Sequence, residues 1–159
     1  MLELALKECE KLGSEVHIWD HGERPLPLVG ADGSWDDINV KDFQELATTA
    51  DAFILSSPEY HGTMSGVMKN SLDWLYSKHT SGKVFGLIST LGGQSSNNTL
   101  NHMRIAARWI HGWVAPEQIA VPHIKDAFNT DGTLVDHSIN ERLTNMAESI
   151  VRNTSKLRR

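Results

Sequence analysis

Cysteine is almost absent: Cys9 is the single one among 159 residues. An intramolecular disulfide is therefore impossible, and a cysteine-built zinc site is excluded. Long apolar runs are missing too, with no stretch approaching the ~18 residues that a membrane span requires. The opening residues, Met1 to Glu8, mix acidic with apolar side chains and lack a basic-then-apolar leader. Positive charge is in deficit, with 15 Lys and Arg against 20 Asp and Glu and a net charge of −5. Nucleic acids and anionic membranes both select a basic face, so neither is an expected partner. The one basic cluster, Lys156-Leu157-Arg158-Arg159, reads as a solvated chain end. The expectation is a soluble, cytoplasmic protein. Hydrophobic residues make up 40% of the chain and charged residues 22%, enough for a packed core and against disorder. The length fits a single domain over residues 1–159.

The apolar spacing predicts alternating helices and strands. Leu2, Ala5, Cys9 and Leu12 recur at helical spacing before Gly13. Residues 15–20 read as a short strand carried by Val16, Ile18 and Trp19. Prolines 25 and 27 and the glycines around them make 21–36 a loop. Val40, Phe43, Ala47 and Ala50 stripe the next helix, with Asp36-Asp37 as its capping residues. The runs 51–57 and 83–90 are continuously apolar, as strands buried on both faces are, and 113–121 supplies a further strand. Between them, Met68, Leu72 and Leu75 stripe one helix and Leu100, Met103, Ala107 and Ile110 another. Ser138-Ile139-Asn140-Glu141 fits a capping box that opens a last helix. This order argues an α/β fold with a parallel sheet covered by helices on both faces.

In open α/β sheets ligands bind at the carboxyl ends of strands. Two runs leave such ends with unusual composition: Pro58-Glu59-Tyr60-His61-Gly62-Thr63-Met64-Ser65-Gly66, and Leu91-Gly92-Gly93-Gln94-Ser95-Ser96-Asn97-Asn98. Both carry glycines that permit close approach, and both lead into helix N-termini. A turn needs neither the aromatic Tyr60 nor the imidazole His61. The second run matches neither Gly-x-Gly-x-x-Gly nor a P-loop, and it is equally readable as a Gly/Ser connection in which Asn97 or Asn98 caps a helix. At one edge of one sheet, the two runs together favour a planar ligand.

Residues 57–75, from Ser57-Pro58-Glu59-Tyr60-His61-Gly62-Thr63 through Leu72-Asp73-Trp74-Leu75, resemble the signature of the NAD(P)H-dependent FMN reductase family. That family embraces flavin, quinone, chromate and azo reductases. The resemblance implies a flavodoxin-like three-layer sandwich. It also implies FMN as cofactor, NADPH or NADH as reductant, and a small-molecule electron acceptor such as a quinone, an azo dye or free flavin. By the same resemblance Pro58, Glu59, Tyr60, His61, Gly62 and Thr63 line one side of the flavin, and Thr90, Leu91, Gly92 and Gly93 the other. His61 departs from the usual Asn and loses the amide's paired donor and acceptor. Lys69, Asn70, Asp73 and Trp74 have structural roles behind the first run, and a homodimer or tetramer is implied. The flavin carries the hard chemistry in such an enzyme, so the lack of a Ser-His-Asp set or carboxylate pair fits.

Other signals carry less. His17 and His21 are four apart, but the residues between them read as strand rather than the helix on which an i, i+4 pair converges on one metal. Cys9 belongs to an apolar helix face and reads as core. Asn97-Asn98-Thr99 and Asn153-Thr154-Ser155 match the glycosylation triplet, which matters only in a secreted chain. Trp74, Trp109 and Trp113 suit core or interface, at least one of them an oligomer contact. Family members open with a strand and a Ser-x-Arg-x-x-Ser-like phosphate loop. By that plan about 25 residues, including the first, central strand, are missing here, leaving either direct pairing of 15–20 with 51–57 or a gap. The alternative function is then an interaction module without cofactor.

Overall fold

The computed structural model describes residues 1–94 and 97–158. Its strands are β1 (Ala52–Tyr60), β2 (Thr63–Met64), β3 (Val84–Thr90) and β4 (Trp113–Val121). They form one sheet in the order β2-β1-β3-β4. β1, β3 and β4 are parallel, and β2 folds back antiparallel on the end of β1. The helices are α1 (Leu2–Lys11), α2 (Ile38–Thr49), α3 (Gly66–Asp73), α4 (Ser77–Thr80), α5 (Asn98–Trp109) and α6 (His137–Leu157).

The apolar run of β3 shows why three layers form. Its successive side chains point to opposite faces. Val84 and Ile88 join Ala5 of α1 and Leu143, Met146 and Ile150 of α6. Phe85 and Leu87 join Ala47 of α2, Leu72 of α3 and Leu100, Met103 and Ala107 of α5. Gly86 lets α6 lie close: a Cβ there would sit 2.5 Å from Ile150 Cδ1 and 3.3 Å from Met146 Sδ. The expected α/β sandwich is thus present, with α1 and α6 on one face and α2, α3 and α5 on the other.

Caps decide where the helices begin. The Asp37 carboxylate accepts from Asn39 N at 2.8 Å and Val40 N at 3.2 Å, as the sequence suggested. Ser65 Oγ accepts from Met68 N at 3.1 Å and opens α3. The last helix departs from expectation. It begins at His137, and Asp136 accepts from Ser138 N at 2.9 Å, so the capping box read at Ser138 lies inside the helix. An aspartate two residues earlier offers both the acceptor and a charge that suits the helix dipole.

One predicted strand is absent. Residues 14–20 have no regular structure, although Val16, Ile18 and Trp19 have the propensity for it. Strand propensity is realised through cross-strand pairs, and β1 is bonded to β3 along its length and to β2 only at its end. Direct pairing of 15–20 with β1 therefore does not occur. Trp19 packs outside the sheet instead, with its ring 5.0 Å from Phe43 and the Arg24 guanidinium carbon 3.7 Å above it. The loop after it is stitched to α3: Asn70 Nδ2 donates to Leu26 O at 3.2 Å and Pro27 O at 2.9 Å, and Trp74 Nε1 donates to Pro27 O at 2.9 Å.

Candidate cofactor site at the carboxyl edge of the sheet

Parallel register brings the two unusual runs together, because Pro58 on β1 pairs with Thr90 on β3. The first run is not the open loop expected from its proline and glycines. β1 continues through Tyr60, and Tyr60 pairs with Thr63 across a two-residue turn of His61 and Gly62. Both turn residues have positive φ, 51° and 79°, which matches the twist of a tight hairpin. Glycine adopts that conformation freely, and histidine is among the side chains that tolerate it. The departure from Asn at position 61 thus falls on a backbone position that Asn itself favours.

The hairpin is fixed at its base and along its side. Ser65 N donates to Ser57 Oγ at 3.0 Å, joining the base to the start of α3. Thr63 Oγ1 lies 2.7 Å from His102 Nδ1 on α5. The Glu59 side chain points away from the edge. It is 9% exposed, and its Oε2 accepts from Thr99 Oγ1 at 3.0 Å and Thr99 N at 3.4 Å.

The second run continues the sheet before it turns away. Leu91 N donates to Val121 O, His123 N to Gly93 O and Ile124 N to Leu91 O, each at 3.0 Å. Gly92 and Gly93 are exposed, and a Cβ on either would meet nothing within 4 Å among the described residues. The remainder of that run, Ser95-Ser96, lies outside the described residues. Asn97 precedes α5 without a side-chain cap bond, so the capping suggested for it does not form there.

A cavity of about 640 Å³ opens beside the first run. Of the expected site residues it is lined by Pro58 and Tyr60, and the second run does not line it. Sequence reasoning missed the rest of its wall, in particular Ser56, Ser65, Val67 and Met68 on one side and Ile18 to His21 with Met1 to Glu3 on the other. Proximity of 18–21 to 56–60 had a signal in the expectation that these segments flank one position in the sheet. His21 is held there by Ser71. Ser71 Oγ donates to Val67 O at 2.7 Å, so at 3.0 Å it accepts from His21 Nε2–H. Burial pushes the His21 imidazole below its ordinary value, with Asp20 opposing.

No group of three metal-ligating side chains occurs among the described residues. Burial raises the Cys9 thiol, so the reactive thiolate is disfavoured and the residue acts as core. Of the three tryptophans singled out, Trp74 is fully buried whereas Trp109 and Trp113 are 84% and 60% exposed.

A sequence profile described as NADPH-dependent FMN reductase matches residues 1–126 of this hairpin, cavity and Gly-Gly run. The chain belongs to the NADPH-dependent FMN reductase family. Among curated members it is 40% identical over 125 residues to an FMN-dependent NADPH-azoreductase of Staphylococcus haemolyticus strain JCSC1435, covering 76% of this chain and 66% of that protein. It is 40% identical over 124 residues to an FMN-dependent NADPH-azoreductase of Staphylococcus aureus strain USA300, covering 75% and 66%. The match therefore spans just under two thirds of these relatives. Solved structures show the flavodoxin-like fold. An oxidoreductase from Corynebacterium diphtheriae superposes with a TM-score of 0.76 at 16% identity, over 98% of this chain and 85% of that one. The flavoenzyme NAD(P)H:(acceptor) oxidoreductase FerB from Paracoccus denitrificans gives 0.73 at 22% identity, over 97% and 89%. Within the FMN reductase family, then, residues 58–63 and 90–93 occupy the carboxyl edge that the sequence placed them on.

Proposed function

We propose that this chain is an NAD(P)H-dependent FMN reductase acting on a small acceptor of the quinone, azo-dye or free-flavin class. The observation that carries the reading is the pairing of Pro58 with Thr90, which sets both family runs at one sheet edge, with a cavity of about 640 Å³ beside the first of them. That volume lies within the ~300–1,000 Å³ of small-molecule clefts. Its lining suits a flavin, with an exposed aromatic at Tyr60 and hydroxyls at Ser56 and Ser65, and the same sheet edge adds exposed backbone at Gly92 and Gly93.

Pro58, Tyr60, His61, Gly62 and Thr63 would hold the cofactor on the hairpin side, and Thr90, Leu91, Gly92 and Gly93 on the other. Glu59 would contribute through its backbone, because its carboxylate is committed to Thr99. Bound FMN supplies the redox chemistry, accepting hydride from a nicotinamide and giving electrons to the acceptor. The chain orients the ring, presents N–H donors to its polar edge and keeps water from one face.

The same reading takes residues 1–159 as one domain of a cytoplasmic homo-oligomer. No helix among the described residues is long and apolar enough to cross a membrane. Ile105 and Trp109 share one face of α5 at i, i+4 spacing, exposed by 65% and 84%, and such an apolar face suits a second copy.

Titration of the purified protein with FMN, followed by the visible spectrum and flavin fluorescence, tests the proposal. Stoichiometric binding and NAD(P)H oxidation that rises with added quinone or azo dye are expected. A protein that remains colourless and leaves NAD(P)H unoxidised overturns it.

A further inference from the structure

We propose that Glu59 is a positioning residue that fixes the two arms of the site to one another by capping α5 from outside that helix. The inference rests on the flavin reading above and deepens it. The first N–H groups of a helix have no partner within the helix. At the start of α5 the N-cap residue Asn97 makes no side-chain cap bond. The acceptor comes from β1 instead: Glu59 Oε2 takes the Thr99 amide at 3.4 Å and the Thr99 hydroxyl at 3.0 Å. Glu59 and Thr99 are both buried, at 9% and 0% exposure. A buried carboxylate is retained only where it is hydrogen-bonded, and a helix N-terminus favours its negative charge.

What this cap joins gives it a role in binding. Glu59 immediately precedes Tyr60 and the His61-Gly62 turn, while Thr99 lies at the downstream end of the run that starts with Leu91-Gly92-Gly93. The upstream end of that run is already fastened to β4 through Leu91 and Gly93. The cap fastens the other end, and the Thr63–His102 bond braces the same pair of elements one helical turn along. A ligand held between 58–63 and 90–93 meets two surfaces that the β1–β3 ladder sets side by side and that Glu59 braces from behind through α5, although its carboxylate touches no ligand. Sequence reasoning placed Glu59 against the flavin. Its geometry assigns it to the frame behind.

The test compares Glu59→Gln, Glu59→Ala, Thr99→Val and the Glu59→Ala/Thr99→Val double variant. Hydrogen exchange of the flavin-free protein and FMN affinity by fluorescence quenching are the two readouts. Glu59→Ala is expected to speed exchange of amides in 97–102 at least ten-fold while the β3 and α6 amides stay protected, and to weaken FMN binding ten-fold or more. Glu59→Gln, which keeps an acceptor, should restore most of that affinity, to within about five-fold of the parent. The double variant should bind no worse than Glu59→Ala. Unchanged exchange at 97–102 in both Glu59→Ala and Thr99→Val overturns the cap. Parental FMN affinity in Glu59→Ala, or additive losses in the double variant, overturns its positioning role. If the parent protein itself binds no FMN, the flavin reading fails, and the exchange arm still decides the cap.

Discussion

Pro58 and Thr90 stand opposite one another in the β1–β3 ladder, so two segments thirty residues apart meet at one sheet edge without either being a loop at that point. The backbone there belongs to the sheet and is held as rigidly as the sheet is. Sites on such elements are more precise than sites on loops, and the sensitive positions are those that fill space beside them.

Gly93 is one such position. A Cβ there meets nothing among the described residues within 4 Å, so Gly93→Val should fold normally, with a melting temperature within about 2 °C of the parent. It would occupy the approach to the cofactor edge, and FMN affinity should fall at least ten-fold. Equal FMN affinity in a fluorescence titration would remove Gly93 from the site.

His61 tests the hairpin. Its φ of 51° suits Asn and strains β-branched residues. His61→Asn should leave stability equal or raised by a few tenths of a kcal/mol, whereas His61→Val should cost about 1–2 kcal/mol. Chemical denaturation measures both.

Asn70 carries the loop before α2. Its amide donates to Leu26 O and Pro27 O, and its Oδ1 accepts from Val29 N at 3.3 Å. Asn70→Ala should cost about 1–3 kcal/mol. Proteolytic cleavage within 21–36 should then precede global unfolding.

His79 gives stability a pH dependence. It is buried, its Nδ1 accepts from Tyr76 N at 3.0 Å, and burial, with Lys78 and Lys83 nearby, holds its imidazole below the ordinary 6.5. The unfolded chain therefore takes up a proton before the folded one. Stability is full above about pH 6.5 and declines as pH falls through that value, until the folded imidazole protonates as well. His21 acts in the same direction. A thermal series from pH 8 to 5 should stay level down to about pH 6.5 and fall below it, more gently in His79→Gln.

Much of this was legible because apolar runs have one structural outcome. β3 is flanked on both sides and covered on both faces, so 83–90 reads directly as a buried strand. The two candidate runs were legible because Pro, Gly and Tyr fall together at strand ends. Pairing was harder to see. The Val16–Trp19 segment has strand composition and no ladder. Residues 58–64 have loop composition and form a strand end and hairpin, because Tyr60 finds Thr63 across two positive-φ residues. The bond of the Glu59 side chain to Thr99 had no signal in the sequence, because it joins residues forty positions apart through the packing of α5 on β1.

The two long edges of the sheet, β4 on one side and the part of β1 that β2 leaves unpaired on the other, protect themselves unequally. β4 interrupts its ladder with extra residues between Val114 and Gln118 and carries Pro116 within them, both of which discourage pairing with another chain. β1 has the composition of an interior strand, Ala-Phe-Ile-Leu, only partly buried at Ala52, Phe53 and Ile54. Its open side is a template for foreign backbone. The limiting hazard in handling this protein is thus self-association at β1. Its solubility ceiling should be set by concentration and time well below the melting point.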